Sequence, residues 1–230
     1  MKKQKISENP GLKECTGNIP LLSDIRKNAV LNKIPVISDE AGNFIKLYCI
    51  LKKPVSVLEI GCGIGYSTFY ILSGLACSNK KTSYCGIDLN RQRLGQAEDL
   101  INRHFGKHIS EKMPGISFFA ANALKFLRET DLKFDFVFID GAKFEYPDYL
   151  ELAVPRLKKN AAVIADNIFY SGKVFKDYIS KHDYNSVRGI RLYIERVTKK
   201  GDFDTVFFSM GDGMSLSFYK GSLREASEIK

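Results

Sequence analysis

Short apolar runs alternate with longer amphipathic stretches along most of this chain. A short continuous apolar run is typical of a buried strand, whereas apolar residues that recur every three or four positions indicate a helix. The runs predict strands at residues 55–60, 83–88, 116–120, 134–139 and 161–165, and the stretches after the first four predict helices at 67–78, 91–105, 123–129 and 147–157. Strands that alternate with helices indicate a mainly parallel sheet with helices on both faces.

The two ends of the chain add further elements to this pattern. Two helices are predicted before the first strand, at 21–31 and 38–52, and a third at 184–198 leads into strands at 203–209 and 214–219. Gly211-Asp-Gly213 lies between the last two strands and is typical of a hairpin turn. We therefore expect an α/β fold with a Rossmann-like, doubly wound, mainly parallel seven-stranded sheet that ends in a C-terminal antiparallel hairpin. Residues 1–20 are expected to form a flexible lead-in, and residues 21–230 a single domain.

The composition fits a protein of the cytoplasm. The chain has 230 residues, of which 44% are hydrophobic, and this suits one globular core. No apolar run approaches the ~20 residues that a membrane helix needs, and no apolar segment follows the N-terminal lysines as it would in a secretory signal. The five cysteines are an odd number without C-x-x-C spacing, so reduced thiols in a cytoplasmic protein are expected.

The positive charge of the chain is concentrated in one segment. The net charge is +9, and residues 156–200 hold eleven Lys and Arg against four Asp and Glu, a balance of +7. A local positive field attracts anions, so this segment is a candidate surface for a polyanionic partner, with Lys173, Lys176, Arg188 and Arg191 as the predicted contacts. A lysine-rich solvated surface without a partner is the alternative interpretation.

A glycine-rich turn follows the first predicted strand and is a candidate nucleoside site. The turn reads Gly61-Cys-Gly63-Ile-Gly65, and glycines let a backbone turn tightly and approach a ligand. In open α/β sheets nucleotides bind at this turn. The dinucleotide pattern G-x-G-x-x-G requires its last glycine where this chain has Tyr66, which weighs against a nicotinamide-dependent oxidoreductase. Asp88, at the end of the second strand, can bind ribose hydroxyls, although it can also cap the next helix.

Acidic and amide side chains follow two other predicted strands. Asp140 comes after the fourth strand, and Asp166 and Asn167 end the fifth. The carboxyl ends of parallel strands meet at one edge of the sheet, and oxygen ligands of this kind suit Mg²⁺. Lys143 lies three residues after Asp140, where a lysine beside a divalent cation can act as a base. An ion pair between Lys143 and Asp140 is the alternative.

These motifs together resemble the cation-dependent O-methyltransferases, a family that includes catechol and caffeoyl-coenzyme A O-methyltransferases and bacterial enzymes that methylate 5-hydroxyuridine in transfer RNA. The resemblance extends over nearly the whole chain from about residue 25. It rests on the segments Asn32–Gly42, Leu58–Thr68, Phe138–Lys143, Ala165–Val174 and Met210–Ser217.

The resemblance implies a role for each matching residue. The cofactor would be S-adenosylmethionine, bound by Ile37, Glu59, Gly61, Gly65, Ser67, Asp88, Asn122, Ala123 and Asp140. The metal, Mg²⁺ or Mn²⁺, would be bound by Asp140, Asp166 and Asn167, and Lys143 would be the general base. Within these roles, Gly61, Gly65 and Ser67 would hold the methionine end, Glu59 would support the turn and Asp88 would bind the ribose. Ile194 stands where the family commonly has Asn, a departure that concerns the acceptor.

The acceptor and the assembly have more than one interpretation. A hydroxyl of 5-hydroxyuridine in transfer RNA is the expected acceptor, because the basic segment 156–200 suits a polyanion. The alternative is a small vicinal diol such as a catechol or a hydroxycinnamoyl-coenzyme A ester. A non-catalytic binding module is a third interpretation. By resemblance a homodimer is expected.

Overall fold

The computed structural model describes residues 20–78, 80–113, 115–199 and 201–221. The α-helices of this part are α1 (Pro20–Leu31), α2 (Asp39–Lys52), α3 (Tyr66–Ala76), α4 (Arg91–Lys112), α5 (Ala123–Glu129), α6 (Tyr146–Ala153) and α7 (Tyr184–Thr198). The strands are β1 (Ser56–Ile60), β2 (Ser83–Asp88), β3 (Gly115–Ala120), β4 (Phe134–Ile139), β5 (Leu157–Asp166), β6 (Phe203–Phe208) and β7 (Met214–Tyr219). Short 3₁₀ turns lie at Lys143–Glu145, Val154–Arg156 and Lys173–Phe175. The expected lead-in lies outside the described residues, except for Pro20.

All seven strands form one sheet in the order β3-β2-β1-β4-β5-β7-β6. The four pairs among β1 to β5 are parallel, whereas β7 is antiparallel to both β5 and β6. The strand order reverses at β1 and β4, and this is where ligands bind in doubly wound sheets. The predicted fold class is confirmed, including the antiparallel hairpin at the C-terminal end.

Helices cover both faces of the sheet, as the alternation along β4 illustrates. Phe136 and Phe138 pack on one face with residues of α2, α3 and α4. Val137 and Ile139 pack on the other face with residues of α5, α6 and α7. Successive strand residues point to opposite faces, so a strand that is apolar at every position is buried on both. The continuous apolar runs therefore mark the central strands.

Three elements show the largest differences from the sequence prediction. The helix predicted at 147–157 ends at Ala153, because Pro155 cannot donate a helical hydrogen bond, and a 3₁₀ turn follows. β5 then begins at Leu157 rather than 161, and a register shift lies opposite it between Phe134 and Phe136. α4 extends beyond 105, across a break at Gly106 (φ 45°, ψ −134°).

The described residues contain no helix that is both long and apolar enough to cross a membrane. The cysteines within them, Cys49, Cys62, Cys77 and Cys85, are free thiols. Cys15 lies outside the described part of the chain.

Candidate active site

The glycine turn connects β1 to α3 with three left-handed residues. Gly61, Gly63 and Gly65 have φ of 89°, 51° and 85°. A Cβ added to Gly61 would lie 2.4 Å from the carbonyl oxygen of Asp140, and one added to Gly65 would lie 2.9 Å from Ala97 of α4. A Cβ on Gly63 would meet nothing within 4 Å. Gly61 and Gly65 are therefore required by close packing, whereas Gly63 borders open space.

Glu59 lies beneath this turn and joins three elements. Its carboxylate is fully buried and accepts hydrogen bonds from the hydroxyls of Ser67, Thr68 (2.7 Å) and Tyr84. Burial raises the pKa of Glu59 to about 7. The Ser67 hydroxyl donates its proton to Glu59 and does not donate it to a cofactor. The backbone N–H of Ser67 lies in the first turn of α3, has no intrahelical acceptor and is therefore the group available for the predicted cofactor contact.

Asp88 lies beside the turn and holds its backbone. Its Oδ2 accepts the Gly63 N–H at 2.8 Å, and its Oδ1 accepts the Asn90 N–H at 2.7 Å. The Asn90 side chain accepts the Arg93 N–H at 3.0 Å, so Asn90, not Asp88, caps α4. A carboxylate oxygen offers two lone pairs. Asp88 therefore retains the capacity to accept hydrogen bonds from ribose hydroxyls.

A cavity of about 360 Å³ opens between the glycine turn and the ends of β4 and β5. This volume lies in the usual range for small-molecule sites. Of the predicted site residues, those that line it are Gly61, Asp88, Asn122, Ala123, Asp140, Lys143 and Asn167. The others are buried and do not line it: Ile37, Glu59, Gly65, Ser67 and Asp166. One cavity thus borders both predicted sites.

Several cavity residues were not predicted from the sequence. Ile34, Pro35 and Val36 come from the segment between α1 and α2, and Arg93 and Glu145 come from α4 and the 3₁₀ turn after β4. The first three lie in the segment Asn32–Gly42, which carries part of the resemblance, but neither that motif nor periodicity shows that they border the cavity, because their place depends on how these segments pack across the turn. Conversely, Ile194 is half-buried against the core and does not line the cavity. Its departure from the family pattern therefore leaves the cavity lining unchanged.

Asp140 and Asp166 are brought together by the register of β4 and β5. Each follows the paired residues Ile139 and Ala165 by one position. Asp166 is 2% exposed, and its Oδ1 has no hydrogen-bond partner among the described residues. Burial, together with the charge of Asp140, raises the pKa of Asp166 to about 7. Burial also raises the pKa of Asp140, against the opposing effect of Lys143.

Lys143 faces this acidic pair from the 3₁₀ turn after β4. Its Nζ lies 2.6 Å from Oδ1 of Asp140 and 2.7 Å from the hydroxyl oxygen of Tyr146. The alternative ion pair between Lys143 and Asp140 is thus present. Tyr146 was not predicted as a site residue, although its position three residues after Lys143 places both on one side of the turn. Burial, followed by the charges of Asp140 and Asp166, holds the pKa of Tyr146 well above its usual 10.0.

The predicted metal ligands comprise two carboxylates and one amide. No group of three or more His, Cys, Asp or Glu side chains that could hold a metal ion occurs in the described ranges. Asn167 takes a left-handed conformation, with φ of 55°, directly after Asp166. The hairpin turn between β6 and β7 supports the segment that follows Asn167, because the Ile168 N–H donates to Gly213 O at 3.0 Å. The hairpin therefore helps to fix the rim of the cavity.

Four residues of the basic segment were predicted to contact a polyanion, and two of them have partners within the protein. Lys173 pairs with Asp183 at 2.8 Å. Arg191 donates to the backbone oxygens of Val174 (3.0 Å) and Lys176 (2.5 Å). The side chains of Lys176 and Arg188 are exposed. Arg191 is exposed as well, but among the described residues only Lys176 and Arg188 of this set are exposed without a side-chain hydrogen bond or ion pair.

Known proteins resemble this chain over most of its length. Residues 14–220 match the family model described as O-methyltransferase. An O-methyltransferase of Aspergillus flavus, imqG, is 29% identical over 72% of this chain and 66% of its own length. A catechol O-methyltransferase of Niastella koreensis is 24% identical over 80% of this chain and 82% of its own.

A solved structure shares the fold. The O-methyltransferase from Bacillus cereus, determined in complex with S-adenosylhomocysteine (SAH), has a TM-score of 0.72 and 22% identity, and the superposition covers 87% of this chain and 91% of the other. The shared fold and the family match agree with the site geometry. This protein belongs to the O-methyltransferase family.

Proposed function

We propose that this protein transfers the methyl group of S-adenosylmethionine to an acceptor oxygen with the help of a divalent metal ion. One observation carries the proposal: a single cavity is bordered both by the glycine turn and Asp88 and by Asp140, Lys143 and Asn167. A methyl donor and an acceptor oxygen need such adjacency, because the reaction requires them in line and in contact. Membership of the O-methyltransferase family leaves no role for a nicotinamide cofactor.

The residues around the glycine turn fit S-adenosylmethionine. The open space at Gly63 allows a ligand to approach the backbone, and Asp88 can accept hydrogen bonds from ribose hydroxyls. Asn122 and Ala123 line the cavity just after Ala120, which pairs with Asp88 across the sheet, and the adenine would lie there. The Bacillus cereus relative was solved with SAH, which supports this assignment. Ile37, Glu59, Gly65 and Ser67 act from behind the cavity wall, through packing and through the N-terminus of α3.

The acidic rim fits a hard cation such as Mg²⁺ or Mn²⁺. Asp166 presents a buried carboxylate oxygen without a hydrogen-bond partner among the described residues, and such an atom is costly unless a ligand satisfies it. Asp140, Asp166 and Asn167 would hold the ion through oxygen atoms. When bound, a divalent cation supplies Lewis acidity that makes an acceptor hydroxyl easier to deprotonate.

Lys143 is the proposed base. Lys143 lines the cavity and its Nζ lies beside Asp140, which puts the amine near an acceptor hydroxyl at the rim. In its amine form Lys143 takes the hydroxyl proton, the acceptor oxygen bonds to the methyl carbon, and the carbon–sulfur bond breaks to leave the neutral thioether. Glu59 and Tyr146 hold the surrounding backbone and side chains in place during this transfer.

Calorimetric titration and turnover measurements test this proposal. SAH should bind and NAD should not. Excess EDTA should abolish methyl transfer, and Mg²⁺ or Mn²⁺ should restore it. Lys143→Ala should lower kcat by about 10²–10⁴-fold while SAH affinity stays nearly constant. Full activity in EDTA would refute the metal, normal turnover of the variant would refute the base, and SAH binding without any methyl transfer would indicate a non-catalytic binding module.

For the acceptor, we propose transfer RNA that carries 5-hydroxyuridine. The support is the basic segment 156–200, with the exposed charges of Lys176 and Arg188. Gly189 packs against the backbone of Lys143, so Arg188 lies on the helix that borders the base. Phosphate contacts dominate the binding of nucleic acids and weaken steeply as salt rises. Methyl transfer to such a transfer RNA should therefore decline strongly from low to moderate salt.

A pair of charge reversals tests the location of the RNA. Changing Lys176 and Arg188 to Glu should raise KM for transfer RNA by at least about tenfold, because two phosphate contacts are replaced by repulsion. The control reverses Lys80 and Lys81, which are exposed just before β2 and hence at the opposite end of the parallel strands. Equal effects of both pairs would contradict this docking surface, because they would reflect net charge alone.

A small vicinal diol is the second candidate acceptor. The observation in its favour is the similarity to the catechol O-methyltransferase of Niastella koreensis. A neutral catechol would gain nothing from Lys176 and Arg188. Efficient methylation of catechol, with no transfer to hydroxyuridine-containing RNA and no salt dependence, would establish this alternative over the RNA.

A homodimer is also proposed, by resemblance to the family alone. Size-exclusion chromatography with light scattering should give about twice the chain mass of 25.9 kDa. A mass equal to that of one chain across the micromolar range would contradict it.

A further inference from the structure

Tyr146 occupies a position from which it can direct the side chain of Lys143. It is the first residue of α6, and its backbone N–H donates to the carbonyl oxygen of Lys143 across the intervening 3₁₀ turn. This turn places the tyrosine ring beside the lysine side chain, with Nζ 5.0 Å from the ring centre. Tyr146 is 0% exposed and does not line the cavity, so it can influence a ligand only through other residues.

The hydroxyl of Tyr146 has its hydrogen-bond directions determined by its neighbours. It lies 2.9 Å from the carbonyl oxygen of Asp166 and 3.3 Å from that of Ile139, the last residues of β5 and β4. Carbonyl oxygens only accept, so the single hydroxyl proton points toward the strand ends. The oxygen lone pairs are left for Lys143, whose Nζ lies 2.7 Å away.

The tyrosine ring is itself held by packing. It makes an edge-on contact with Tyr193 of α7, with ring centres 5.8 Å apart, and it contacts Tyr149 at 6.4 Å. The Tyr193 hydroxyl is engaged elsewhere, 2.9 Å from Oγ of Ser215. The Tyr146 hydroxyl, which accepts the hydrogen bond from Lys143, is therefore held rigidly against the same strand ends that precede Asp140 and include Asp166.

From this arrangement we infer that Tyr146 is a positioning residue for Lys143, which rests on the proposed role of Lys143 as the base. An ammonium group has three N–H donors. Asp140 and Tyr146 accept two of them, and the described residues supply no third acceptor, so one direction is left for a ligand in the cavity. In the amine form that acts as the base, this third direction holds the nitrogen lone pair that takes the acceptor proton. Tyr146 thereby restricts the rotation of Nζ about its flexible stem and selects the direction along which it meets the acceptor hydroxyl.

Removal of one hydroxyl tests the inference without an acceptor. Tyr146→Phe keeps the ring, and Tyr193→Phe is the matched control, since it removes a buried hydroxyl from the adjoining ring. In ¹⁵N-lysine-labelled protein, the Lys143 ammonium signal is assigned by its loss in Lys143→Ala. Hydrogen exchange of that signal should accelerate at least about tenfold in Tyr146→Phe and change little in Tyr193→Phe. Unchanged exchange in Tyr146→Phe would overturn the inference.

Turnover in a double-mutant cycle provides the second readout, with hydroxyuridine-containing transfer RNA and with catechol as acceptors. Tyr146→Phe should lower kcat by about 10–100-fold, since loss of orientation has effects of this size, and leave KM for S-adenosylmethionine within about twofold. In the Lys143→Ala background the same change should have no further effect, because Tyr146 acts only through the lysine. An equal loss in both backgrounds would overturn the inference, whereas a fully active Lys143→Ala would instead refute the base.

Discussion

Gly189→Ala is expected to displace Lys143, and so to reduce activity more than it reduces the stability of the protein. Gly189 lies within α7, where a Cβ would come 2.6 Å from the carbonyl oxygen of Lys143 and 2.7 Å from Cα of Phe144. Both atoms belong to the backbone, so neither can rotate away. Because an ordinary contact begins at 3.4 Å, α7 or the 3₁₀ turn must move by about 0.8 Å, the difference from the 2.6 Å approach.

The change in the free energy of unfolding is the sum of two opposing effects. Alanine is a better helix former than glycine by about 0.5–1 kcal/mol, whereas overpacking costs about 1–3 kcal/mol. Gly95→Ala in α4 is the matched control, because a Cβ there meets nothing within 4 Å. Gly95→Ala should therefore raise the free energy of unfolding slightly, and Gly189→Ala should fall below that control by about 1–3 kcal/mol.

Activity should respond more strongly than stability. A displacement near 1 Å at a catalytic group can cost about 10²-fold in rate, so Gly189→Ala should lower kcat by about 10–100-fold with nearly unchanged SAH affinity. Urea titration gives the stability, single-turnover methyl transfer gives the rate, and calorimetry gives the affinity. If Gly189→Ala matched Gly95→Ala in both stability and rate, α7 would not rest on the Lys143 backbone and the reasoning would be refuted.

Three further predictions address the other parts of the site. Asp88→Ala should weaken SAH binding by about 1–3 kcal/mol through lost charged hydrogen bonds, and unchanged affinity in calorimetry would remove Asp88 from the site. Asp140→Ala and Asp166→Ala should each abolish turnover in folded protein and remove the change in melting temperature that Mn²⁺ causes in the parent, so a persistent shift would place the ion elsewhere. Glu59 binds its proton more tightly in the folded state, because its pKa is raised to about 7 in the fold against 4.5 for an ordinary glutamate. The stabilisation that this proton adds to the free energy of unfolding is complete below pH ~4.5 and is lost as pH rises toward about 7. Urea titrations in EDTA should therefore show Glu59→Gln gaining stability relative to the parent across this window, by about 3 kcal/mol at most, and a constant difference would contradict the raised pKa.

Much of the fold was predictable because its signals are local. Apolar runs marked the central strands, and the glycine turn and Asp88 followed from their places after β1 and at the end of β2. Even the meeting of Asp140 with Asp166 was predictable, since parallel strands bring their carboxyl ends to one edge of the sheet. The boundaries of β5 were less accessible, because its early start at Leu157 depends on pairing with Phe134 across the sheet rather than on its own residues.

The sequence by itself therefore determined the order of strands and helices, the family and the residue types at the rim of the cavity. Only the tertiary structure decided what those residues contact. It placed Gly189 against Lys143 from 46 positions away in the chain, and it paired Lys173 with Asp183, which withdraws one charge from the predicted RNA surface. Periodicity reports the environment of a residue relative to its near neighbours. Contacts between distant segments depend on how helices pack on the sheet, and no local pattern encodes that.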